Sequence, residues 1–137
     1  AGSLTHGTNG AILTYPMSVN VVGNYAYVSS FSGNALEIVD VSNPASPVHV
    51  SAFTSGSLSS PYSVYISGSY AYLTGSGNDS LEIVNISNPA APTHAARVVN
   101  GVNGVLLDRP MSVYVLGNYA YVTGFDSRNL EIIKIFN

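Results

Sequence analysis

Cysteine and tryptophan are both missing from the 137 residues, and charge is scarce. Without cysteine there is no disulfide, no thiolate-ligated zinc and no thiol nucleophile. Charged residues make up 8% of the chain, against roughly a quarter of an average soluble domain. Four basic residues against seven acidic ones leave a net charge of −3. So few cations cannot track a phosphate backbone, which excludes nucleic acid as a partner. No apolar run approaches the roughly 18 residues of a membrane span, and no basic-then-apolar leader is present. What is there instead is a 46% hydrophobic chain in which Gly, Ser, Asn and Pro are scattered throughout. That is the opposite of a disordered composition, and the length suffices for one domain with a core.

A repeat decides the fold. The segment from Pro16-Met17-Ser18-Val19 through Gly23-Asn24-Tyr25-Ala26-Tyr27-Val28 returns 45 residues later, from Pro61 to Leu73. It returns again after a further 49 residues, from Pro110 to Val122. Such periods, rich in short strands, indicate propeller blades. Each repeat divides into four runs, A to D. Run A (Met17–Val22, Tyr62–Ile66, Met111–Leu116) ends at a Gly-Asn or Gly-Ser hairpin turn. Run B is Tyr25–Ser29, Tyr70–Thr74 and Tyr119–Thr123; run C is Leu36–Val41, Leu81–Ile86 and Leu130–Ile135. Run D is Val48–Phe53 and Thr93–Val99. Val, Ile and Tyr dominate and helix-period stripes are absent, so the chain is all β. Run A, small-headed at Ser18, Ser63 and Ser112, is expected innermost. The Tyr pairs of run B share one sheet face and should pack on the next blade. Run C reads as nearly continuous apolar sequence, as a strand covered on both faces does.

Leu36-Glu37-Ile38-Val39-Asp40, Leu81-Glu82-Ile83-Val84-Asn85 and Leu130-Glu131-Ile132-Ile133-Lys134 resemble the repeat named LVIVD. With Tyr-Ala-Tyr-Val and the Asn-Pro steps, they place the chain near the LVIVD and YVTN surface-protein propellers. The resemblance implies a propeller, often exported or at the cell surface, and names no activity. It also implies chains long enough for a full ring, and this one is shorter.

The first fifteen residues align with Ala95 to Arg109. The chain is therefore expected to open in a D strand, about Ser3–His6, and to close after a C strand. The expected division is a strand and linker over 1–15, blade 1 over 16–60, blade 2 over 61–109 and blade 3 over 110–137 without its own D strand. Three blades alone would stand about 120° apart, whereas natural propellers hold roughly four to eight. A homodimer supplies six, with each N-terminal strand completing a blade of the other copy, and two-fold pairs are the commonest oligomers. The alternative is a fragment of a longer propeller.

His6, His49 and His94 invite a metal reading, but they fall on different blades and are expected to be exposed rim residues. Glu37, Glu82 and Glu131 recur once per blade, too far apart for paired acid–base work. Each is expected to accept hydrogen bonds from a hydroxyl or a backbone N–H. Asn78 and Asp79 lack the other ligands of a calcium loop and read as a turn. No Ser-His-Asp or phosphate-cradling glycine motif is present. No cofactor or metal is expected.

The least ordinary feature is charge concentrated in two loops. Asp108, Arg109, Asp126 and Arg128 lie in the D–A and B–C loops of blade 3, which emerge on one face. They are the expected ligand-binding residues, with salt bridges inside the loops as the plainer account. The expected function is a non-catalytic binding or structural module for a protein or glycan, outside the cell or on its surface. A lectin-like propeller is the first alternative, with ten Tyr as stacking rings. An enzyme with a central-pore site is the second.

Overall fold

A computed structural model describes residues 1–135. The described residues form eleven strands in three antiparallel sheets, each ordered as in the sequence. The first holds β1 (Pro16–Val22), β2 (Tyr25–Ser30), β3 (Ala35–Asp40) and β4 (Val48–Thr54). The second holds β5 (Pro61–Ser67), β6 (Tyr70–Gly75), β7 (Ser80–Asn85) and β8 (Thr93–Val99). The third has three strands, β9 (Pro110–Leu116), β10 (Tyr119–Gly124) and β11 (Asn129–Lys134). Gly23, Gly68 and Gly117 turn each first hairpin at φ between 57° and 58°. That left-handed backbone favours glycine.

The first strands of successive sheets adjoin, β1 beside β5 and β5 beside β9, so the sheets stack like blades. The stacking is chemically asymmetric. The face carrying Tyr27, Leu36, Ile38 and Phe53 covers Val64, Ile66, Ala71 and Val84 of the second sheet. The matching face of the second sheet, with Tyr72, Leu81 and Ile83, covers Val113, Val115, Ala120 and Val122 of the third. The tyrosine pairs of the first and second sheets thus do pack on the next sheet, while Tyr119 of the third is exposed. Burial first, and then the neighbouring Tyr25 and Tyr70, hold the Tyr27 and Tyr72 phenols above the ordinary tyrosine range.

Small polar groups stitch the junctions. Ser18 Oγ accepts the Val64 N–H at 3.3 Å, and Ser63 Oγ accepts that of Val113 at 3.4 Å. Two of the small heads of run A, Ser18 and Ser63, are thus junction acceptors. Asn34 Oδ1 and Asp79 Oδ1 accept the N–H groups of Ser60 and Arg109 at 2.8 and 2.9 Å. All four of these residues have positive φ.

Two faces remain uncovered. Val19 and Val21, equivalent to the buried Val64 and Ile66, are 61% and 58% exposed. On the third sheet Leu130 and Ile132, equivalent to the buried Leu36 and Ile38, are 59% and 55% exposed. Residues 1–5 join no sheet within this chain. The strand expected at Ser3–His6 is therefore not formed among the described residues. The repeat nevertheless extends through the turn that follows. Gly7 N–H reaches Ala11 O at 2.8 Å, as Gly101 N–H reaches Val105 O.

Candidate functional site

The charged loops do come together. Asp108 and Arg109 lie between β8 and β9; Asp126 and Arg128 lie between β10 and β11. Backbone bonds lock the two loops, with Phe125 N–H on Arg109 O at 3.0 Å and Asp126 N–H on Asp108 O at 3.2 Å. Arg109 and Arg128 both sit in left-handed backbone. The Arg109 guanidinium lies 4.8 Å above the Phe125 ring, an attractive arrangement for a cation over a π face. Its Nη1 is 3.9 Å from Asp126 Oδ2, with both side chains about half exposed. An ion pair so solvated contributes little to stability. Arg128 is exposed on the same loop and takes no part in this pair.

Phe125 escaped the sequence reading, although it occupies the same repeat position as Phe31. Phe31 marks a second feature of the same loop set. Tyr15, Met17, Phe31, Ser32 and Tyr62 line an open apolar cup of about 310 Å³ between the first two sheets. Phe31 and Tyr62 meet edge to face there, with centroids 6.3 Å apart. Tyr15 stands at the repeat position of Arg109, so the first sheet carries a ring where the third carries a charge.

The histidines require a correction. His49 is not an exposed rim residue: its side chain is 18% exposed, and its Nδ1 lies 2.5 Å from Oε1 of the fully buried Glu37. His94 is exposed, as a rim residue is, its side chain 49% accessible, yet it meets the fully buried Glu82 in the same way. The partners of Oε1 are therefore imidazoles, which the sequence reading did not foresee, while the expected backbone N–H donor is found at the other oxygen of Glu37. A bulge causes this. The register steps from Ile38 opposite Ser51 to Val39 opposite His49, skipping Val50, and from Ile83 opposite Ala96 to Val84 opposite His94. One extra residue turns each histidine onto the face of its glutamate. The legible signal was the constant separation of 12 residues in both repeats. Glu37 Oε2 accepts the Ile12 N–H at 3.0 Å, while Glu82 Oε2 has no partner. Glu131 takes the Asn129 carboxamide at 3.0 Å.

His6 accepts the Leu13 N–H at 3.1 Å, the task Asn100 performs for Leu107 at 3.0 Å. Asn78 bonds Ser57 O and Ser80 Oγ, and Asp79 caps Arg109, so their oxygens serve the turn. Among the described residues no three His, Asp or Glu side chains converge.

Comparison with known proteins follows these landmarks. Residues 15–55, 60–99 and 109–137 each match the LVIVD repeat. The chain belongs to the LVIVD-repeat family. Each matched LVIVD segment takes in the Glu of one sheet and the loops that surround it. No curated protein matches the chain. Among solved structures, a functionally unknown protein from Desulfotomaculum acetoxidans DSM 771 is 18% identical with a TM-score of 0.71. The match covers 91% of this LVIVD chain and 41% of that one. The hydrazine synthase of Kuenenia stuttgartiensis is 17% identical with a TM-score of 0.73, over 96% of this chain and 36% of that one. The computationally designed Ika4 protein is 6% identical with a TM-score of 0.52, over 90% and 92%. The chain thus spans less than half the length of the first two, and at these identities the likeness concerns the fold alone.

Proposed function

We propose that this LVIVD chain is a non-catalytic binding module that takes its ligand on the loop face of the third sheet. The observation that carries the reading is the exposed Arg109 guanidinium, held over Phe125 and beside Asp126 by loops locked through their backbones. A rigid scaffold with polar groups on its loops is the usual arrangement of a binding site. The exposed guanidinium suits an acidic group on a protein or glycan, and the reading places the module outside the cell or on its surface. Arg109→Ala should weaken ligand binding at least tenfold, measured on the ligand recovered from a glycan or peptide array. The melting temperature should hold, because the ion pair is solvated. A variant that loses stability and keeps binding would make the cluster structural.

A lectin-like reading is favoured by the cup at Tyr15, Phe31 and Tyr62, whose rings offer apolar faces beside the hydroxyl of Ser32. Array hits confined to glycans, and lost in Phe31→Ala, would select it.

The assembly in this reading is a six-bladed ring of two copies that share blades. Its support is the match between the uncovered faces: the Leu130 and Ile132 face has the chemistry that covers Val64 and Ile66 inside the chain, and Val19 and Val21 await such a cover. Light scattering should return twice the 14.3 kDa chain mass. A folded monomer at every concentration would remove the ring.

A further inference from the structure

We infer that the outer edge of β11 is filled by residues 2–4 of a second copy of this chain, with Ile132 opposite Gly2, Glu131 opposite Ser3 and Leu130 opposite Leu4. The inference rests on the two-copy ring and specifies which backbone atoms meet.

The first support is the missing neighbour. β3 and β7 are each flanked on both sides, by β2 and β4 and by β6 and β8, whereas among the described residues β11 pairs only with β10. An unpaired edge is a template for another strand.

The second support is where residues 1–5 stand. Gly2 is the repeat equivalent of Ser51 and Ala96. Ser51, on β4, donates from Oγ to the carbonyl of Pro89, in the β7–β8 turn of the next sheet, at 2.6 Å. Pro44 is the repeat equivalent of Pro89, and Gly2 lies directly against the backbone of Pro44 and Ala45, where a Cβ would overlap it. Residues 1–5 thus hold, relative to the first sheet, the place that β4 holds relative to the second. They lie where an outer strand would dock on its forward neighbour, and among the described residues no inner strand pairs with them. Among the described residues the third sheet holds three strands, with no outer one beside β11.

The third support is the register that the internal sheets dictate. Ile38 faces Ser51, Glu37 faces Ala52 and Leu36 faces Phe53. Ile83 faces Ala96, Glu82 faces Arg97 and Leu81 faces Val98. Carried forward, the pattern gives the three pairs stated above. It sets apolar Leu4 beside Leu130, where Phe53 and Val98 stand beside Leu36 and Leu81.

Native cysteine is absent, so cross-linking reads the register directly. Opposed Cα atoms in antiparallel strands lie about 4.5–5.5 Å apart, within disulfide reach. Leu4→Cys/Leu130→Cys, oxidised mildly, should run as a covalent dimer on a non-reducing gel and revert on reduction. Mixing the two single variants should give the same dimer, which guards against misfolding of the double variant. Leu4→Cys/Lys134→Cys, with the second cysteine four residues along β11 from the position opposite Leu4 and so about 13 Å away, should stay uncross-linked. A dimer by light scattering that cross-links no better through Leu130→Cys than through Lys134→Cys overturns the strand exchange and leaves the two-copy ring standing. A cross-link formed within one chain overturns the second copy as its source. A monomer by light scattering removes the ring itself, and this inference with it.

Discussion

Leu81→Ala should lower unfolding free energy by about 2–5 kcal/mol, while Leu130→Ala, at the same repeat position, should cost about 0.5 kcal/mol or less in dilute monomer. The side chains are identical and occupy the same place in the LVIVD repeat; only their cover differs. Leu81 is fully buried between the second and third sheets, whereas Leu130 is 59% exposed on the outer face of the third. Truncating the first removes transfer energy and leaves a cavity among Tyr72, Ile83 and Val122. Truncating the second trims surface. In the proposed ring Leu130 becomes an interface residue, so the same substitution should weaken association several-fold in sedimentation equilibrium. Urea melts at low concentration separate the two effects. Equal losses of stability at both positions would mean that the outer face is already covered within one chain.

His49→Leu should destabilise by about 3 kcal/mol, because it leaves the Glu37 carboxylate buried with one partner removed. The double replacements discriminate further. Glu82→Leu/His94→Leu removes a buried carboxylate, one oxygen of which had no donor, together with its half-exposed imidazole partner. Swapping such a pair for apolar side chains is often neutral or stabilising, and its melting temperature should stay within a few degrees of the parent. Glu37→Leu/His49→Leu strands the Ile12 N–H, which loses its acceptor at 3.0 Å. It should therefore keep a deficit of about 1–3 kcal/mol. Thermal melts of the three variants suffice. A neutral His49→Leu would show that the imidazole does not sustain the carboxylate.

The repeat carried most of the fold because it states the same local rules three times: a Gly turn, an alternating run, a tyrosine pair, an apolar strand. Any one blade would have been ambiguous; the agreement of three was not. The loops of the third sheet were legible because their charge stands out in a chain so poor in it. Phe125 was passed over because an aromatic residue reads as core until its exposure is known. The Glu–His pairs were misread for a different reason. Counting residues along β3 and β4 places His49 on the wrong face, and only the skipped Val50 corrects it. A bulge is set by the three-dimensional ladder and leaves little mark on hydrophobic periodicity.

The asymmetric stacking of tyrosine faces on valine faces has a consequence for how the molecule opens. Each sheet touches only its neighbours, so stability is shared out locally, as in other repeat proteins. The middle sheet is clamped on both sides, and its Tyr72, Leu73, Leu81 and Val84 are almost wholly buried. The outer sheets are clamped on one side each. Amide protons of β6 and β7 therefore exchange with solvent only when the whole chain unfolds. Those of β1 and β11 escape through smaller, more frequent openings. A second copy laid on the two outer faces would erase that gradient, turning the most labile strands into ones as slow to exchange as the middle.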